Sequence, residues 1–121
     1  MKPILLFFCL TISASAFAQV KIDAGFVFMN GQFEYGTQNA KWWALVPDAF
    51  AVKEISTGKV CKMVSHQITF LIKGESFLAA DAVTFKQLSA KLLPNDKIFI
   101  DKIKLEAGCF APPKSIAITI Q

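Results

Sequence analysis

Arginine is absent from these 121 residues, and histidine occurs once, as His66. All 13 basic residues are lysines, scattered and often beside acids, as in Asp101-Lys102-Ile103-Lys104-Leu105-Glu106. Nucleic-acid binders cluster their basic side chains along one face; the dispersal here describes a solvated surface. Catalytic signatures are missing too. There is no Gly-rich phosphate loop, no G-x-S-x-G, no H-E-x-x-H and no Cys/His spacing suited to a metal. His66 has no Asp or Glu at ligand spacing and lies in phase with apolar neighbours, so it reads as a hydrogen-bonded histidine at the core margin. Asp96 and Asp101 are five apart on or beside a strand and make a poor carboxylate pair for glycoside hydrolysis. Neither an enzyme nor a cofactor is expected.

Long apolar runs are also lacking. The longest candidate, Ile4 to Ile12, has nine residues, too few to span a bilayer. It follows Met1-Lys2 and precedes Ala16-Phe17-Ala18, which is the order of a secretory signal peptide cleaved between Ala18 and Gln19. The expected organisation is residues 1–18 as leader and 19–121 as one domain with a modest core. Removing Lys2 leaves 12 lysines against 9 acids, a charge of about +3.

Cysteine is scarce, but what remains is even. Cys9 leaves with the leader; Cys61 and Cys109 stay in an exported chain. They can form a bridge closing a loop of about 49 residues, or remain two buried thiols. The sequence leaves both open.

The mature chain is dominated by two-residue periodicity. Val20, Ile22, Ala24, Phe26 and Phe28 share one parity and predict a half-buried strand. Asn30-Gly31 predicts a type I′ hairpin turn, with Phe33 and Tyr35 on the return strand. In residues 40–56 the period is unclear, and Pro47 argues against a central strand there. Trp42 and Trp43 are adjacent; with Tyr35 they could form an exposed aromatic platform for a sugar or partner, or one could be core and the other an edge cover. Residues 60–73 predict a long strand with Val64, His66, Ile68, Phe70 and Ile72 on its apolar face. A short helix is expected from Phe85 to Leu93, with a Thr84/Gln87 capping box and Pro94 as its stop. Ser115 to Gln121 alternates cleanly, with Ile116, Ile118 and Ile120 inward and a place at the edge of the sheet left open.

The strand at 97–106 breaks its own rule. Ile98 and Ile100 are apolar on even positions, Ile103 and Leu105 on odd ones. A strand cannot change face without an extra residue or a bend, so a β-bulge is expected at Asp101-Lys102, the alternative being that Phe99 also packs and the first half of the strand is buried on both faces. Alternating strands, turn signals and one helix together point to a mainly β, immunoglobulin-like β-sandwich with one short helix.

Four segments carry a family resemblance: "CKMVSHQITFLI" (61–72), "TFKQLSAKL" (84–92), "LLPNDKIFIDKIKLE" (92–106) and "PPKSIAITIQ" (112–121). Together they resemble the C-terminal domain of the gliding-motility protein GldM, called PorM in relatives without gliding. Asn95 stands where that family usually has Gly, a substitution a left-handed turn position tolerates. A leader replaces the family's transmembrane helix, and the long periplasmic stalk is missing. The resemblance implies a non-enzymatic protein-interaction module in the periplasm, accessory to type IX secretion or gliding, with an envelope protein or a second copy as partner. Secretion or surface display is the alternative location. The alternative function is a small carbohydrate- or peptide-binding protein using Trp42, Trp43 and Tyr35.

Overall fold

The computed structural model describes residues 18–35 and 45–120. It contains eight strands: β1 (Ala18–Ile22), β2 (Phe26–Asn30), β3 (Phe33–Tyr35), β4 (Phe50–Glu54), β5 (Val60–Ile72), β6 (Glu75–Ala79), β7 (Lys97–Leu105) and β8 (Ser115–Ile120). One helix, α1 (Ala82–Ser89), lies between β6 and β7. Every strand pair is antiparallel, in the order β1-β8-β7-β5-β4-β2-β3, with β6 added to β5. The mainly β sandwich with one short helix expected from the sequence is therefore the fold adopted. Its two layers are joined through β5, whose first residues pair with β4 and whose remainder pairs with β7 and β6. Phe28, Phe50 and Val52 from one layer meet Phe70, Ile98, Ile100, Ile116 and Ile118 from the other in a single core. Phe28 and Phe50 meet edge to face, with ring centres 5.0 Å apart.

The bulge expected in β7 is present, and it has a counterpart. Lys102 adopts a left-handed φ of 50°, and the pairing with β5 steps there from Gln67–Asp101 to Ser65–Lys104. Two residues of β7 thus oppose His66 alone. One step further, Val64 is the extra residue on β5, and the register resumes at Met63–Leu105. Each strand changes face at the same level of the sheet. Ile98 and Ile100 hand over to Ile103 on β7, while Ile68 and Phe70 hand over to Met63 and Cys61 on β5. This overturns the expected inward position of Val64, which is 62% exposed. The face of β5 was expected to be continuous, but the bulge turns it over.

Two further expectations are corrected. The strand read across Val20–Phe28 is two strands, broken at Asp23–Gly25 where Gly25 takes a φ of 97°. The break carries the chain from β8 in one layer to β4 in the other, while Val20 and Phe28 both still reach the core. In the first hairpin Asn30 remains in β2, opposite Phe33, so the loop is Gly31–Gln32. With positive φ at Gly31 alone, this fits a type II′ turn. The hairpin with two left-handed residues is Lys73–Gly74, between β5 and β6. The place of β8, which the sequence left open, is inside the sheet, because β1 covers its outer side.

The helix also starts earlier than its expected capping box. Asp81 is the N-cap, its carboxylate accepting from the Thr84 backbone N–H at 2.7 Å. A carboxylate two to three residues before the first free amides satisfies them as well as a threonine does, so helix formation begins at Ala82. Phe85 and Leu88 are buried as the spacing required, whereas the helix ends at Ser89 rather than Leu93, and Leu92, also buried, lies beyond it. That backbone hydrogen bond from Thr84, strengthened by its side chain, holds the Asp81 carboxyl below its ordinary 3.8. The sign follows: the cap's contribution is complete above 3.8 and fades as pH falls through the lower folded-state value. The melting-temperature gap between wild type and Asp81→Ala, open at neutral pH, should narrow on acidification through that range. A pH-independent gap in thermal melts would refute the cap's ionic character.

Candidate functional site: a groove along the uncovered stretch of β5

Strand β5 is longer than the strands on its flank. Lys53, Val52 and Ala51 of β4 pair with Val60, Cys61 and Lys62, and β6 pairs only with Ile68 to Ile72. Residues 63–67 between them have β7 on one side and, among the described residues, no strand on the other. At about 3.3 Å per residue this uncovered stretch is roughly 17 Å long.

A groove of about 680 Å³ runs along it, lined by Pro47, Asp48 and residues 62–66. A smaller recess of about 200 Å³ continues past Pro47, Asp48 and His66 to Ala79–Ala82. Met63 is buried, whereas Val64 and Val46 are exposed at the rim. The wall opposite β5 is a 3-10 turn at Pro47–Ala49, started by the fixed φ of Pro47 and closed by Ala49 N–H donating to the Val46 carbonyl at 2.9 Å. The Asn30 side chain anchors the turn's entrance by accepting from Val46 N–H at 3.1 Å.

His66 holds this turn against β5. Its Nε2 lies 3.2 Å from the Pro47 carbonyl oxygen, which suits the tautomer protonated at Nε2, and its ring packs 5.3 Å from that of Phe50. The histidine therefore has the structural occupation its phase suggested. Asp96 is buried, its carboxylate accepting from Lys73 N–H at 3.1 Å and Leu93 N–H at 2.8 Å. Asp101 sits in β7 opposite Gln67 and Ser115. Among the described residues no group of three His, Cys, Asp or Glu side chains is placed to hold a metal ion.

Cys61 and Cys109 are joined by a disulfide, with Cα atoms 6.3 Å apart. It fastens the β7–β8 loop to the start of β5, where Cys61 itself is fully buried. Lys59 Nζ donates to the Gly108 carbonyl at 3.1 Å beside it, and Phe110 packs on Phe26 with ring centres 5.5 Å apart. The residues named for an aromatic platform do not come together as one. Trp42 and Trp43 lie outside the described residues. Tyr35 is 8% exposed, because pairing with Phe28 puts it on the core side of the hairpin. The exposed aromatic there is Phe33. The expected cleavage site falls at the start of β1, where the Ala18 and Gln19 backbones pair with Ile120 and Thr119.

No family model, curated protein or solved structure matches the chain.

The groove was beyond sequence reasoning. Its one sequence signal is the length of the 60–73 alternation, but a long strand declares a gap only once its shorter neighbours are known.

Proposed function

We propose that this chain is a non-enzymatic protein-interaction module of the cell envelope, which takes an extended segment of its partner along the uncovered stretch of β5. The observation that carries the reading is the groove beside residues 63–67, flanked by β4 and β6 and rimmed by Val46 and Val64. Strand addition suits such a place, because backbone hydrogen bonds give affinity and alternate side chains find pockets. The Cys61–Cys109 disulfide supports an oxidising compartment, as the leader-like first 18 residues do. The segments resembling the GldM C-terminal domain fall on β5, α1, β7 and β8, and the first of them supplies the β5 wall of the groove. That favours a periplasmic partner within the type IX secretion or gliding apparatus. Glycan binding on Trp42, Trp43 and Tyr35 is the weaker reading, since Tyr35 is buried.

The test is capture from the chain's own cell envelope with tagged mature protein, read by mass spectrometry. Wild type should recover secretion-ring or motor proteins. Val64→Arg, at an exposed rim position, should reduce that recovery at least tenfold with no change in melting temperature. Equal recovery by both proteins would remove the groove from the reading, and recovery of no ring or motor protein would remove the proposed machinery.

A further inference from the structure

Among the described residues, three strands besides the middle of β5 have a side with no strand on it, and they are not equally guarded. β1 carries an exposed lysine, Lys21. β3 is only three residues long and carries Glu34 in an ion pair with Lys53. Short edges and charged side chains are the usual defences against pairing with another chain. β6 has neither lysine nor proline, and Glu75 at its first position is its single charge. Phe77 and Leu78 are 38% and 55% exposed at its centre. Among the described residues, only β5 pairs with it.

The backbone of β6 fixes what can be added. Ile72 and Glu75 flank the two-residue Lys73–Gly74 loop, so they exchange hydrogen bonds, as the flanking pair of such a hairpin does. Counting along the ladder, Glu75, Phe77 and Ala79 direct their amides and carbonyls at β5. Ser76 and Leu78 direct theirs outward.

We propose that the free side of β6 pairs antiparallel with β6 of a second copy of this chain, about a two-fold axis through Phe77. Ser76 then exchanges hydrogen bonds with Leu78 of the second copy, and Leu78 with its Ser76. Phe77 faces its own counterpart in a non-hydrogen-bonded pair, where side chains approach most closely. Charge selects both the occupant and this register. Glu75 meets Ala79 of the second copy rather than another glutamate. The exposed Lys73, in the turn before the strand, is then at the same end of the ladder as Asp81 of the second copy, after it, and the symmetry makes this placement of opposite charges twice. Centring the axis on Leu78 instead would set Glu75 against Asp81. A strand this short buries a small surface, so the dimer is weak and concentration-dependent.

Cysteine cross-linking reads the register directly. Cys61 and Cys109 are already joined, so an introduced thiol in the mature chain has no competitor. Phe77→Cys should give a disulfide-linked dimer as the main product of mild oxidation. Leu78→Cys, whose counterpart is two rows away, should give little. Lys73→Asp added to Phe77→Cys should lower the yield several-fold. Sedimentation of the unaltered mature chain should show a reversible monomer–dimer equilibrium, a measurement that needs no variant to fold. A monomer at every concentration, or equal cross-linking at both positions, would overturn the proposal; a monomer would leave this edge to a strand from a different protein.

Discussion

Replacing Cys61 and Cys109 together by alanine should lower the free energy of unfolding by about 4 kcal/mol. The bridge spans 48 positions of sequence, so in the unfolded chain it forbids a large share of the accessible conformations. Its loss also acts on the folded state. Cys61 is fully buried in β5 opposite Val52, and the loop that holds Cys109 places Phe110 on Phe26. Alanine leaves a small void at the first position and a less tightly held loop at the second. A urea titration of both proteins checks the magnitude. A loss below about 1 kcal/mol would show that the loop is kept in place by its other contacts. Intact mass of residues 19–121 after alkylation gives an independent reading: the untreated protein should take up no label, and the reduced protein two.

Asp96→Ala should cost about 3 kcal/mol, although the side chain touches no candidate ligand surface. Its carboxylate joins two turns that are distant in sequence: Leu93 N–H after the helix and Lys73 N–H in the β5–β6 hairpin. Its backbone carbonyl accepts from Ile120 N–H at 2.9 Å, and the Ile120 carbonyl accepts from Asn95 N–H at 2.7 Å, so the end of β8 is fastened at the same point. Alanine removes both carboxylate acceptors and leaves two donors without them. Asparagine keeps one acceptor oxygen but turns an NH₂ group towards the other donor, so Asp96→Asn should lose about half as much. Chemical denaturation of the three proteins orders them wild type, Asn, Ala. Indistinguishable Asn and wild-type curves would mean that one hydrogen bond carries the site.

The residues most legible in the sequence were those whose conformation is decided locally. The slip of parity at Asp101-Lys102 demanded an extra residue, and the chain supplies it at a left-handed Lys102. Asn95, in a turn-like Pro-Asn-Asp stretch, takes a left-handed φ of 78°. Pro47 does start a 3-10 turn, but β4 begins three residues later at Phe50 and is a central strand between β5 and β2, which the unclear period of residues 40–56 had hidden. What the sequence concealed depends on partners. Val64 is as apolar as Ile68, and only the pairing with β7 shows that a bulge turns it to solvent. Val20 to Phe28 keep one parity across a break, so periodicity could not reveal that two strands in different layers were involved. Tyr35 suggested a platform because Trp42 and Trp43 follow it closely, while its cross-strand partner Phe28 had already assigned it to the core. The groove exists only because β4 and β6 stop short of each other on β5, a fact about lengths and pairings combined.

The pairing of β1 with β8 has a consequence for the order in which the molecule can be completed. These strands lie about a hundred positions apart in the chain, yet Ala18 sits opposite Ile120. A chain emerging N-terminus first, from a ribosome or through a pore, presents β1 long before anything exists for it to bind. Until β8 arrives, β1 has no partner strand and β7 is paired on one side only. Completion of the sheet therefore waits for β8, and a chain stalled before that strand has emerged remains an open sheet.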